Sequence, residues 1–174
     1  MRVEKLLTGV SDTSSVTTYL TTPSGQLTQG KQYTVTGSGP NLDRQTVPHI
    51  HEAILDPTGR YILTPDLGAD QVRVWTFDDL SGNLHELPSL FVTPGDGPRH
   101  AAFFKGKTGT HLYVVTELTN KLLSFEVTYG NKGLSFKSTA NQTSFGTTPV
   151  PNGAAAAEIT VSVSLSYPQA SNHN

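Results

Sequence analysis

The sequence predicts an all-β chain built as a partial β-propeller, with about three blades present and each blade a four-stranded antiparallel sheet. Two observations predict it. A strand–turn–strand pattern recurs three times along the 174 residues, and the composition favours strands and turns over helices. Charged residues are only 15% and hydrophobic residues 35%, so Thr, Ser, Asn and Gln must cover much of the surface; 16 Gly and 11 Pro supply turns.

The three copies of the pattern run over Asp12–Leu27, Ala69–Leu84 and Thr119–Leu134. Each is a strand of alternating character, a turn with Gly, and a Leu that opens the next strand. Leu27, Leu84 and Leu134 stand 57 and 50 residues apart. Four short strands with their turns take roughly 40–50 residues in known propeller repeats. The surplus is read as longer loops.

Other elements recur in phase with these. Gly37-Ser-Gly-Pro40 follows the first copy and Gly95-Asp-Gly-Pro98 the second. After each comes a His-bearing segment that opens an apolar inner strand, His49–Leu55 and Arg99–Phe104. A Gly turn follows, at Asp56-Pro-Thr-Gly59 and at Lys105–Gly109. A second strand, Tyr61–Thr64 or His111–Val115, ends on an acidic residue before Leu: Asp66-Leu67 and Glu117-Leu118. One blade is therefore inner strand, Gly turn, second strand, acidic loop, third strand, Gly turn and outer strand. No helix is predicted. Ala154–Ala157 is read as leading into a further inner strand, with Ile159–Leu165 alternating like one. Val72, Val74, Phe103, Tyr113 and Phe125 are read as core between blades. Residues 1–162 are assigned to the partial propeller and 163–174 to an irregular tail.

Charge and composition also exclude functions. The formal net charge is −2 and no two Lys or Arg are adjacent, so neither nucleic acid nor an anionic membrane is expected as a partner. Cys is absent, which removes disulfides, thiolate metal sites and a Cys nucleophile. No apolar run reaches 18 residues and the start carries no signal-peptide pattern, so a cytoplasmic location is expected. Neither a nucleophile elbow nor a phosphate-binding or dinucleotide Gly loop is present.

Specific motifs extend the repeat. Val47–Tyr61 resembles the PHxHxxxxDPTGR signature of the lactonase-type seven-bladed propeller family, which includes 6-phosphogluconolactonases and carboxymuconate cyclases. Thr64–Val74 is similar to its PDLGAD segment, Gly97–His100 to its GPRH turn, Thr116-Glu-Leu118 to its NEL motif with Thr for Asn, and Ala156–Ile159 to its AAEI motif. The resemblance covers about residues 8–162. It implies a propeller of about twice this length, of which this chain would form middle blades. It also implies an enzyme acting on a small-molecule lactone or carboxylate, by hydrolysis of a sugar lactone or by closing a muconate to its lactone. The alternative is a non-catalytic propeller piece serving as a binding or assembly module, and the open blade edges of a partial ring predict self-association.

By the same resemblance His51, Arg99 and Glu117 fall at positions proposed for catalysis. His49, His100, Asp66 and Glu158 fall at motif positions assigned here to substrate binding, with Asp66 and Glu158 also suited to satisfying backbone N–H groups. Lactone hydrolysis needs a base to activate water and a group to stabilise a developing oxyanion. His or Glu can be that base, and Arg can hold charge or clamp a carboxylate or phosphate. His49 and His51 share one face of a strand, which is half of a metal site. With no third ligand evident and none implied by the family, no metal and no cofactor is assigned. Arg44 is placed either at the site or, the preferred reading, in a solvated loop, and His85, His111 and His173 are read as solvent-facing.

Overall fold

The computed structural model describes residues 4–10, 14–78 and 81–162, and the first of these segments through its backbone alone. Its strands form three antiparallel sheets laid down in chain order. The first holds β1 (Glu4–Val10), β2 (Ser15–Thr21) and β3 (Leu27–Thr34). The second holds β4 (Ile54–Leu55), β5 (Tyr61–Asp66), β6 (Gln71–Phe77) and β7 (Leu84–Phe91). The third holds β8 (Pro98–Lys105), β9 (Thr110–Thr116), β10 (Lys121–Gly130) and β11 (Gly133–Thr143). Within each sheet every strand pairs with its predecessor in sequence, the up-and-down order of propeller blades. A single 3-10 turn, Leu67–Ala69, is the only helical element among the described residues.

Alternation along the strands puts a core on both faces of the middle sheet. Tyr61, Leu63, Val72, Val74 and Leu90 face the third sheet, which answers with Ala101, Leu112, Val114, Leu123, Phe125 and Val127. Ile62, Trp75 and Leu84 face the other way and pack with Val16 and Val35 of the first blade. Trp75 satisfies its indole N–H inside this layer by donating to Thr64 Oγ1 at 3.0 Å. Of the residues read as core, Val72, Val74 and Phe125 are buried between blades and Phe103 packs against them. Tyr113 is a correction: it sits one residue out of phase with Leu112 and Val114, on the opposite face of β9, where it stacks on His111.

The turns are fixed by side chains. Asp56 accepts from the backbone N–H groups of Thr58, Arg60 and Tyr61 and from the Thr58 hydroxyl, closing the β4–β5 turn. Burial alone would push its carboxyl upward, but these hydrogen bonds outweigh it and hold the pKa below the ordinary value.

A second device repeats from blade to blade. The residue just before the last strand but one of each sheet is left-handed: Ser14 (φ 47°), Asp70 (φ 49°) and Asn120 (φ 52°). Its carbonyl accepts the N–H of the residue soon after the outer strand, namely Val35, Val92 and Ser144. Its side chain reaches the chain leading into the next blade. Ser14 Oγ donates to Pro48 O, Asp70 accepts from Gly95 and Gly97, and Asn120 clasps Ala154 O and Ala156 N. Asn and Asp suit the position because they tolerate the left-handed region and bond locally.

Two strand expectations are corrected. The His49–Leu55 segment is ladder only at Ile54–Leu55, with an isolated bridge from Ile50 to Asp66. Residues 149–162 form no strand, because no neighbouring strand pairs with them among the described residues. The tail assigned to 163–174 lies outside the described residues.

Candidate functional site

In an up-and-down blade, the segment leading into the inner strand and the loop leaving the second strand lie at the same end of the sheet. Residues 35–53 lead into β4, residues 92–97 into β8, and the loops after β5 and β9 carry Asp66–Asp70 and Glu117–Asn120. The polar groups singled out in the sequence therefore gather at one end.

At the centre is Glu117, just past β9. Its backbone N–H donates to Gly97 O at 2.9 Å, which docks the loop against the start of β8. Its carboxylate is shared by two guanidiniums. Arg99 Nη1 lies 2.5 Å from Oε2, and Arg44 Nη2 pairs with Oε1. Burial alone would raise the Glu117 pKa, but the hydrogen bonds and charges of Arg44 and Arg99 outweigh it and hold the carboxyl below its usual range. Glu117 is thus a firmly ionised anchor and a weak base.

His51 stands against the other side of Arg99, with Nε2 3.5 Å from Nη1. Burial pushes the imidazole pKa down, and the Arg99 charge pushes it further; Glu117 opposes this only in part. The ring is held neutral at neutral pH, the form that accepts a proton. Its neighbour is His100, whose ring stacks at 6.5 Å between centroids.

His100 Nδ1 lies 3.0 Å from Glu158 Oε2 and 4.0 Å from Glu52 Oε1. Glu52 also accepts the Ala101 N–H at 2.7 Å, and burial pushes its carboxyl upward, opposed by that hydrogen bond. Among the described residues, Glu52, His100 and Glu158 are the one group whose ligand atoms converge, within 4.8 Å of one another. His49 is not part of it; its backbone N–H donates to Asp66 Oδ1 at 2.8 Å and its carbonyl accepts from Leu67.

Asp66 is placed differently from a substrate contact. It is fully buried, with Oδ1 on His49 N–H and Oδ2 on Arg73, and Arg73 reaches on to Glu86 and Thr36 O. Its work is to fix the His49–His51 segment against the β5–β6 loop. Arg44 is also a correction. It is paired with Glu117 because its loop is rigid. Gln45, buried beside it, donates to Leu67 O at 2.8 Å and accepts from Asn41 N–H, while Asn41 caps the N–H groups of Asp43 and Arg44. The Asx turn from Asn41 to Asp43 was the available signal for that rigidity. Glu52 was missed as well, and only its spatial neighbours mark it. His85 is exposed, His111 is half-buried against Tyr113, and His173 lies outside the described residues.

Comparison with known proteins identifies the family of the blades. The family model described as "Lactonase, 7-bladed beta-propeller" matches residues 4–174. A protein of Arthroderma benhamiae named "Probable 6-phosphogluconolactonase" is 34% identical over 170 residues, which are 96% of this chain and 42% of that protein. A 6-phosphogluconolactonase of Formosa agariphila is 31% identical over 102 residues, 57% of this chain and 28% of its own. Among solved structures, a Lactobacillus plantarum protein superposes with a TM-score of 0.72 at 25% identity, covering 86% of this chain and 40% of its own. The periplasmic gluconolactonase of Pseudomonas aeruginosa gives a TM-score of 0.64 at 25% identity, over 80% of this chain and 37% of its own. The chain thus spans about two fifths of the length of these full-coverage relatives. With its blades, its loop geometry and this match in hand, the chain belongs to the lactonase seven-bladed β-propeller family.

Proposed function

We propose that these blades supply part of the active site of a lactone hydrolase acting on a sugar lactone of the 6-phosphogluconolactone type. The observation that carries the reading is the row His51–Arg99–Glu117, a neutral imidazole against a guanidinium that a buried carboxylate holds in place. The names of the relatives supply the substrate class.

In this reading His51 takes a proton from water as the water oxygen attacks the lactone carbonyl carbon. Arg99 faces the negative charge that develops on the carbonyl oxygen. The ring ester C–O bond then breaks, the proton returns to the departing alkoxide, and the product is the open hydroxy acid. Glu117 fixes Arg99 and is too firmly ionised to compete with His51 as base. His49 and Asp66 hold the segment that carries His51, while His100 and Glu158 stand beside it as candidate substrate contacts.

The test is turnover of a lactone panel (6-phosphogluconolactone, gluconolactone and carboxymuconolactone) by the full chain and by His51→Ala and Arg99→Ala. The expected losses are about 100- to 10,000-fold for the base and about 100- to 1,000-fold for the oxyanion group. Unchanged rates in both variants would sink the assignment. A folded chain inert on every lactone would favour a non-catalytic binding module instead.

A further inference from the structure

The pairing at Glu117 leaves a charge imbalance. Two guanidiniums converge on one carboxylate, and the third group in the row, His51, is neutral. Exposure is graded along the same row: the Glu117 side chain is 7% exposed, Arg99 28% and Arg44 49%. Glu117 is the most buried of the three, Arg99 lies beside His51, and Arg44 is the most open to solvent.

Arg44 is also preorganised. Its backbone N–H is capped by the Asn41 side chain, and the next residue, Gln45, is buried and bonded to Leu67 O and Asn41 N–H. A single nitrogen, Nη2, is engaged with Glu117, and Glu117 is its only ion-pair partner among the described residues. A half-exposed guanidinium on a pinned loop, with donors to spare and the Arg99 guanidinium on the same carboxylate, suits an anion arriving from solvent.

We propose that Arg44 is a specificity-determining residue that binds the anionic substituent, phosphate or carboxylate, which a sugar-lactone substrate carries remote from its reacting carbonyl. This rests on the hydrolase reading for the position of the reacting carbonyl, at Arg99 and His51. Binding energy from the remote anion then orients the lactone against the base.

The test is calorimetric titration of the full chain with 6-phosphogluconate, the stable open-chain acid, and with gluconate, which lacks the phosphate. The variants Arg44→Gln and Arg44→Lys are compared after their melting curves establish that they fold. Arg44→Gln is expected to weaken 6-phosphogluconate about 10- to 100-fold, the range of a charge-assisted hydrogen bond. Gluconate should weaken far less, and Arg44→Lys should fall between. The proposal is overturned if both acids weaken alike, if neither changes, or if the unaltered chain does not prefer the phosphorylated acid.

Turnover separates this idea from the one beneath it. Retained phosphate-selective binding with no lactone hydrolysis would remove the hydrolase reading and keep Arg44. Hydrolysis whose ratio of phosphorylated to neutral lactone is the same in Arg44→Gln would do the reverse.

Discussion

At the scale of single residues, the site is organised by what each charge is made to face. Arg99 helps keep His51 neutral, so acid should switch activity off only when pH falls below the ordinary imidazole value near 6.5. The acidic limb of kcat/KM is expected below that value. Arg99→Gln removes a positive neighbour, which lets the imidazolium form more readily and should move the limb upward. A limb that stays in place in Arg99→Gln would contradict the pairing. Glu117 works in the opposite sense. Its pKa is depressed in the folded state, so its stabilisation is complete above the unfolded carboxyl value near 4.3 and is lost as pH falls through the lower folded value. Thermal melts of Glu117→Gln should therefore depend less on pH below about 4 than those of the unaltered chain. That His51 and Arg99 come to the same end of the sheets was legible in the sequence, because both sit in short motifs at or just ahead of an inner strand. The pairings of Arg44 and Glu52 were not, because their partners lie 73 and 49 residues away.

At the scale of elements, the left-handed residue before the last strand but one of each sheet is the joint between blades. Asp70 accepts from Gly95 and Gly97, and Gly97 O in turn accepts from Glu117, so the β5–β6 loop reaches the site through two hydrogen bonds. Asp70→Ala should cost about 1–3 kcal/mol in urea denaturation, since it leaves two backbone N–H groups without their acceptor. Gly97 is held at φ 63°, and a Cβ there would stand 2.7 Å from Leu118 Cγ. Gly97→Ala should also destabilise, by about 1–3 kcal/mol, and should lower turnover by displacing the Arg99 and Glu117 backbones together. Wild-type stability in either variant would show that the joint is dispensable. The strands themselves were readable, since alternation and Gly turns are local signals. The shortness of β4 was not: residues 49–53 look like a strand, but Asp66 takes the His49 N–H with a side chain where a ladder carbonyl would stand.

At the scale of the whole molecule, the middle sheet is core on both faces and carries the assembly. Leu63 is fully buried in the layer against the third sheet, and Leu63→Ala should cost about 2–5 kcal/mol. The far face of the third sheet presents Phe104, 39% exposed, with Ala102 and Tyr113 partly covered beside it. We propose that the 174-residue chain self-associates through such faces, which sedimentation across a concentration series would register as rising mass. A constant monomer mass would refute it. The three-blade order was legible because the repeat is periodic over the chain. Residues 149–162 were not, because an inner strand is defined by the neighbour it pairs with rather than by its own alternation.

The blade joints bear on how such a protein comes to exist. Every sheet pairs consecutive strands, and each joint ties one blade to the segment that follows it directly in the chain. Assembly can therefore proceed in the direction of synthesis, with each finished blade serving as a template for the next. The groups of the candidate site come together only as successive joints close, so the site is the last thing to mature.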